Sequence, residues 1–206
     1  MKSLELLKEE IKLKISNDPA HDFEHIMRVY NNARKICKTE KVNQKLVLAA
    51  VLLHDIISYP KSDKRSKNSS IESANASKNI LKKYGFDEEE IKIISEAIRD
   101  HSFSRNKIPQ TIEGKILQDA DRLDALGAIG IARVFAVGGA ENRPFFNPND
   151  PFCNKRSPND QKWTLDHFYN KLLLLESKMN TKSGKKEAKK RTTILKNFLS
   201  DLKKEI

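Results

Sequence analysis

With 206 residues the chain is long enough for one sizeable domain with a real core, and a second domain is not required. Against 28 Asp plus Glu stand 39 Lys plus Arg, a formal net charge of +11 that admits nucleic acid, an anionic small substrate or a lysine-rich surface as its explanation. No run of about 18 apolar residues suggests a membrane span, and the two cysteines, Cys37 and Cys153, make neither a disulfide framework nor a zinc-knuckle pattern, so reduced thiols and a cytoplasmic setting are expected.

The opening stretch MKSLELLKEEIKLKIS interleaves charge with apolar residues and lacks the uninterrupted core of a signal peptide. Within it Leu4, Leu7, Ile11 and Ile15 mark an amphipathic helix that stops near Asn17. Asp18-Pro19 then suits a restart, with Asp as N-cap and Pro at the first helical position, for a helix carrying Ile26, Val29, Ala33 and Ile36 on one face. A more apolar helix is predicted from about Asn43 to His54, followed by a polar basic loop over 58–69. Ser70 to Tyr84 reads as the next helix, closed by Gly85, and Asp87 with Glu90 forms a capping box for a helix carrying Ile91, Ile94 and Ile98. Beyond Pro109, Thr111 is placed to cap one long helix through roughly Phe135, followed by Gly138-Gly139.

Residues 142–160 (NRPFFNPNDPFCNKRSPND) make a long Pro/Asn loop; its Phe145, Phe146 and Phe152, with nearby Trp163, are candidates to close over a ligand or to pack the loop onto the core. Two amphipathic helices finish the chain, the first carrying Trp163, Leu165, Phe168, Leu172 and Leu175, the second Ile194, Leu195, Phe198 and Leu202. The densest basic run, KSGKKEAKKR at 182–191, holds a Glu and no aromatic on which bases would stack. It reads as the solvated start of the last helix rather than a nucleic-acid site. Helical periodicity dominates and convincing strands are absent. The expected fold is all-α, a single compact multi-helix bundle over residues 1–206, with a core at about 18–140 and C-terminal helices at about 161–205 packed on it.

Histidine is scarce and its placement informative: His21 and His25 in HDFEHIMRV, His54 in LLHDII, His101 in IRDHSF and His167 in LDHFY, each accompanied by acid. His54 and Asp55 follow an almost unbroken apolar run, and a carboxylate taken from water without a partner costs at least several kcal/mol. A second cluster, QDADRLDALGAIGIARV at 118–134, places Asp121 and Asp124 on one helix face with Asp119 elsewhere, and Ala125 and Ala128 continuing the Asp121 face. Arg122 is one cation among three anions there, and a divalent metal would supply the missing positive charge. Imidazoles at His25 and His54 with carboxylates at Asp55 and Asp121 make a mixed nitrogen/oxygen donor set suited to Mn, Fe, Ni, Zn or Mg.

The ordered set His25-Ile-Met-Arg-Val, His54-Asp55 and Asp121-Arg122 resembles the HD-domain superfamily of metal-dependent phosphohydrolases. The likeness is nearer still to small bacterial HD hydrolases, through HSFS at 101–104, QDADRLDALGAIGIARVFAVGG at 118–139, DPF at 150–152 and DHF at 166–168, and it covers roughly residues 18–200. It implies an HD-domain bundle with His25, His54, Asp55 and Asp121 as metal ligands. His25 is chosen over His21 because it stands three before the Arg28-Val29 pair, and Asp121 over its neighbours because a basic residue, Arg122, follows directly. His21, Asp22 and Asp124 then become groups that orient ligands or waters. Some branches carry a Glu three residues after the HD aspartate; here that residue is Ser58, which argues against a Glu-assisted mechanism and an alarmone substrate. Two-metal branches need further histidines before the last aspartate, and only His101 lies in that interval, so one divalent ion is expected (Mn, Mg, Ni, Fe, Co or Zn, Mn first among them).

The expected reaction is hydrolysis at phosphorus, with Asp55 or Asp124 orienting the attacking water. Lys61, Arg65, His101 and Arg122 are the candidates to meet the phosphate. Lys61 and His101 are also the candidates for assisting the chemistry, and an imidazole with an ordinary pKa near 6.5 suits protonation of the leaving oxygen. The first choice of substrate is a nucleoside or deoxynucleoside triphosphate, cleaved as by a pyrophosphohydrolase; a nucleotidase or phosphodiesterase is the alternative within the superfamily. Two rivals lie outside it. HDFEH mimics a zinc-protease helix, but with Asp for Glu and with His54-Asp55 left unexplained. A basic helical nucleic-acid or signalling module with a structural metal site would bind with steep salt dependence. The reading leaves a homodimer open and expects neither a membrane nor nucleic acid as partner.

Overall fold

The computed structural model describes residues 2–14, 22–59 and 63–206. Among them the chain is all-α, and it divides between Asp121 and Arg122 into two compact units. The elements in order are α1 (Lys2–Lys14), α2 (Phe23–Cys37), α3 (Gln44–Leu53), a 3-10 turn at Lys64–Asn68, α4 (Ser69–Lys83), α5 (Glu88–Asp100), α6 (Ile112–Asp124), α7 (Gly127–Ala140), α8 (Asp166–Asn170) and α9 (Lys182–Glu205).

In the first unit, α3 is the central element because it is apolar all round. Every residue from Leu46 to Leu53 is buried, and α1, α2 and α5 pack against it while α4 lies along α5. The flanking helices are one-sided by comparison. Leu4, Leu7 and Ile11 of α1 face the core, as do Ile26, Val29, Ala33 and Ile36 of α2. Helix ends follow the sequence chemistry closely. The Asn43 side chain caps α3, Asp87 and Glu90 close a reciprocal capping box on α5, and Thr111 Oγ1 accepts the Gly114 N–H at the start of α6. Gly85, at φ +74, ends the turn after α4, where Phe86 N donates to the Leu81 carbonyl.

Four expectations need correction. The helix expected to start at Asp18-Pro19 opens at Phe23 on an Asp22 cap; Ile15, Asn17, Asp18 and Pro19 lie outside the described residues. The basic loop after the HD pair contains a 3-10 turn, because Asp63 accepts the Arg65 N–H at 2.8 Å and starts one. The long helix predicted from Thr111 to Phe135 is two helices, broken at Ala125-Leu126, so Ala128 does not continue the Asp121 face. Gly127 takes φ +74, and Gly130 approaches the Ala125 carbonyl so closely that a Cβ there would stand 2.2 Å from its oxygen. The helix expected around Trp163–Leu175 is the short α8 followed by 3-10 turns at Leu172–Leu174 and Glu176–Lys178, and the helical run reaches only to Asn170.

In the second unit, α7 packs against α9, and Phe135, Phe145, Phe168 and Phe198 form a ring cluster with Phe135 at its centre. The 142–160 loop is irregular as expected, yet it is anchored. Arg156 grips the fully buried Asp166 through both terminal guanidinium nitrogens, and Asn159 N donates to the same carboxylate. Phe145 is 63 % exposed and meets the Phe135 ring in a T-shaped contact at 5.4 Å between centroids. The basic run at 182–191 starts α9, with Glu187 paired to Arg191.

Candidate metal centre

Four helices of the first unit deliver five side chains to one place. His25 lies in the first turn of α2, His54 is the C-cap of α3 with Asp55 next to it, His101 is the C-cap of α5, and Asp121 lies near the end of α6. His25, His54 and His101 are buried. His25 Nε2 lies 3.7 Å from Asp55 Oδ2 and 3.7 Å from Asp121 Oδ1; His54 Nε2 is 3.5 Å from Asp55 Oδ2, and His101 Nε2 is 3.8 Å from Asp55 Oδ1.

Two of the rings are held by backbone carbonyls. His54 Nδ1 lies 2.7 Å from the Val51 carbonyl and His101 Nδ1 2.6 Å from the Ile98 carbonyl. A carbonyl only accepts, so both Nδ1 atoms carry a proton and both rings turn Nε2 inward. The His25 backbone N–H is taken by Asp22 Oδ1 at 2.7 Å, which fixes the first turn of α2. Asn32, buried about two turns further along α2, donates to the Ala120 carbonyl at 3.2 Å and so ties α2 to α6 beside Asp121.

The donor set fits a divalent metal on the chemistry of its own atoms. His54 Nε2 is buried and makes no hydrogen bond, an arrangement that costs free energy unless something else meets that lone pair. Metal–nitrogen and metal–oxygen bonds of about 2.0–2.2 Å put two ligands of one ion roughly 3 Å apart when adjacent and roughly 4.2 Å when opposite. The 3.5–3.8 Å spacings seen here lie between those limits, and they are too long for hydrogen bonds. Protonation also suits a metal. Burial holds the His54 imidazole below its ordinary pKa, outweighing the pull of Asp55, and so keeps it neutral. Burial pushes Asp121 up, but the facing rings of His25, His54 and His101 outweigh it and hold the carboxyl below its usual range.

Of the residues read from the sequence as site candidates, the structure brings together His25, His54, Asp55, Asp121 and His101. The other described candidates have partners of their own. Arg65 forms a forked pair with Asp63 and lies 4.4 Å from the Tyr59 ring. Arg122 donates to the Lys178 carbonyl, and Asp124 accepts from Arg133 Nη1 at 2.7 Å. Lys61 and His21 lie outside the described residues. Sequence reasoning missed Asn32. Its signal was a polar residue three after Val29, on the same apolar stripe, though such a position alone does not name its partner.

A helical scaffold that sets a histidine, a His-Asp pair and a distant aspartate around one point is that of an HD-type metal-dependent phosphohydrolase. The HD domain family model matches residues 22–126, a span that holds all five side chains. YpgQ of Bacillus subtilis is 33 % identical over 190 residues, covering 90 % of this chain and 84 % of YpgQ. The crystal structure of YpgQ in complex with ADP superposes with a TM-score of 0.78 at 30 % identity, covering 100 % of this chain and 95 % of that one. An HD-superfamily hydrolase from Bacillus thuringiensis gives 0.76 at 35 % identity, with 99 % and 96 % covered. The chain belongs to the HD-domain superfamily and is a hydrolase of that class.

Proposed function

We propose that the chain hydrolyses nucleotides at phosphorus, and that its preferred reaction is that of a nucleoside or deoxynucleoside triphosphate pyrophosphohydrolase. The convergence of five donors from four helices, with the buried His54 Nε2 making no hydrogen bond, carries the reading. The ADP held by the YpgQ crystal supports the nucleotide part of it. In this reading His25, His54, Asp55 and Asp121 hold one divalent ion, Mn before Mg, Ni, Fe, Co or Zn. When bound, such an ion supplies Lewis-acid polarisation of a phosphoryl oxygen and a water of lowered pKa.

The chain's own groups do the rest. Asp55 orients the attacking water and takes a proton from it as oxygen bonds to the α-phosphorus; Asp124 is the alternative for this role. The bridging oxygen leaves with pyrophosphate, and His101, when protonated, gives it the Nε2 proton. The ring stays aligned through this step because its Nδ1–H is committed to Ile98. Lys61 and Arg65 in the segment after the HD pair, with His101 and Arg122, supply positive charge to the phosphates.

A panel of Mn, Mg, Co and Ni against nucleoside triphosphates, with phosphate and pyrophosphate release both read, tests the proposal. Pyrophosphate is expected. Orthophosphate alone would replace the proposal with a nucleotidase, and nucleic-acid affinity of steep salt dependence with no hydrolysis would replace it with a binding module. Asp121→Ala is expected to lose both bound metal and turnover while its far-ultraviolet circular dichroism stays that of the parent; undiminished turnover in that variant overturns the ligand assignment.

A further inference from the structure

Gln118 stands three residues before Asp121 and therefore on the same side of α6, and it is fully buried. Its side-chain nitrogen lies 3.2 Å from the Asp100 carbonyl, 3.2 Å from the His101 carbonyl and 2.9 Å from the Lys107 carbonyl. Asp100 and His101 end α5, whereas Lys107 comes after a 3-10 turn at Phe103–Arg105 and after Asn106, which adopts φ 48. One amide therefore ties both ends of the segment 100–107 to the helix that carries Asp121. A buried primary amide is costly unless its N–H groups are used, and here two N–H groups are shared among three carbonyls. The segment held this way includes His101, whose Nε2 faces Asp55.

We propose that Gln118 is a positioning residue for the reaction: it fixes the segment that carries His101, and through it the placement of the imidazole against Asp55, without itself meeting substrate or metal. The proposal rests on the phosphohydrolase reading, in which His101 serves the leaving oxygen. Leucine at this position keeps most of the volume and removes the amide, so the site keeps its donors while the segment loses its tie. A displacement of about 1 Å in a catalytic group costs roughly 100-fold in rate, and that loss falls on kcat because His101 acts in the transition state rather than in binding.

The test is a double-mutant cycle on the full chain loaded with Mn. Gln118→Leu is expected to raise hydrogen exchange at residues 101–107 while α3 and α4 keep their protection, to leave calorimetric Mn affinity as in the parent, and to lower kcat by about 100-fold with KM little moved. In a His101→Ala background the same substitution is expected to leave kcat where His101→Ala put it. If Gln118→Leu fails to fold, Gln118→Asn, which keeps the amide but shortens its reach, carries the same cycle. Equal loss of kcat in both backgrounds, unmoved kcat, or unchanged exchange at 101–107 overturns the proposal. A parent chain that hydrolyses no nucleotide with any metal sinks the phosphohydrolase reading instead, and the exchange measurement then decides whether Gln118 holds the segment.

Discussion

His54 and His101 each follow the last turn of a helix, and each gives its Nδ1–H to the carbonyl three residues back. The last carbonyls of a helix lack partners within it, so the bond that finishes α3 or α5 also selects the tautomer and aims the ring. Asp22 does the corresponding work at the opposite kind of end, taking the His25 N–H at the start of α2. That makes Asp22 a test of how far a cap controls a ligand. Asp22→Ala should cost about 1 kcal/mol of stability and weaken Mn binding about 10-fold, whereas Asp22→Ser, which also caps, should restore most of both. Calorimetric titration with Mn and urea unfolding measure the two effects; full Mn affinity in Asp22→Ala would mean the cap does not hold His25 in place.

Among the elements, α1 is fastened to the turn after α4 by one carboxylate. Glu10 accepts from Lys83 at 2.6 Å and from the Tyr84 hydroxyl at 2.5 Å, and pairs with Lys14 on its own helix at 2.7 Å. Lys14 first, then Lys83 and Tyr84, hold its pKa down at about 2, against 4.5 for an ordinary Glu. A depressed carboxylate contributes stability above the unfolded-state value and loses it as pH falls through the folded one. The penalty for Glu10→Gln should therefore be full at neutral pH, shrink below pH 4.5 and vanish near pH 2. Both lysines are more than half exposed, so screening keeps the contribution to about 1 kcal/mol or less. Urea midpoints across that range for parent and variant measure it, and a penalty independent of pH would place the effect in packing instead.

The same scale explains what the sequence could and could not disclose. The capping box of Asp87 and Glu90 was legible because side chain and backbone partner are three residues apart. His25, His54, Asp55 and Asp121 were legible as candidates because scarce, costly residue types stood in apolar surroundings. The break between α6 and α7 was not, since an apolar period continues across it and the decisive facts are a positive φ at Gly127 and the Arg133 contact back to Asp124. Gln118, Asn32 and Asp166 were illegible for a related reason. Their partners are backbone groups or side chains brought near only by the fold, and no spacing in the sequence encodes them.

At the scale of the whole chain, the net charge of +11 leaves abundant cations on the surface, while the centre gathers two carboxylates among imidazoles, one of them buried with an unbonded nitrogen. Every donor belongs to the unit that ends at Asp121, so metal binding and the stability of that unit are thermodynamically linked. A ligand present at about 100 times its Kd stabilises the folded state by about 2.7 kcal/mol, and for a chain of this size each kcal/mol moves Tm by about 2–4 °C. Saturating Mn should thus raise Tm by roughly 5–11 °C over the chelated protein, and EDTA should reverse the shift. Asp121→Ala should show no Mn-dependent shift, which separates the site from adventitious binding elsewhere on the chain. Hydrogen exchange should place the added protection at the start of α2, at the ends of α3 and α5 and along α6. A Tm that rises equally in Asp121→Ala, or protection confined to the 142–160 loop, would locate the metal away from this centre.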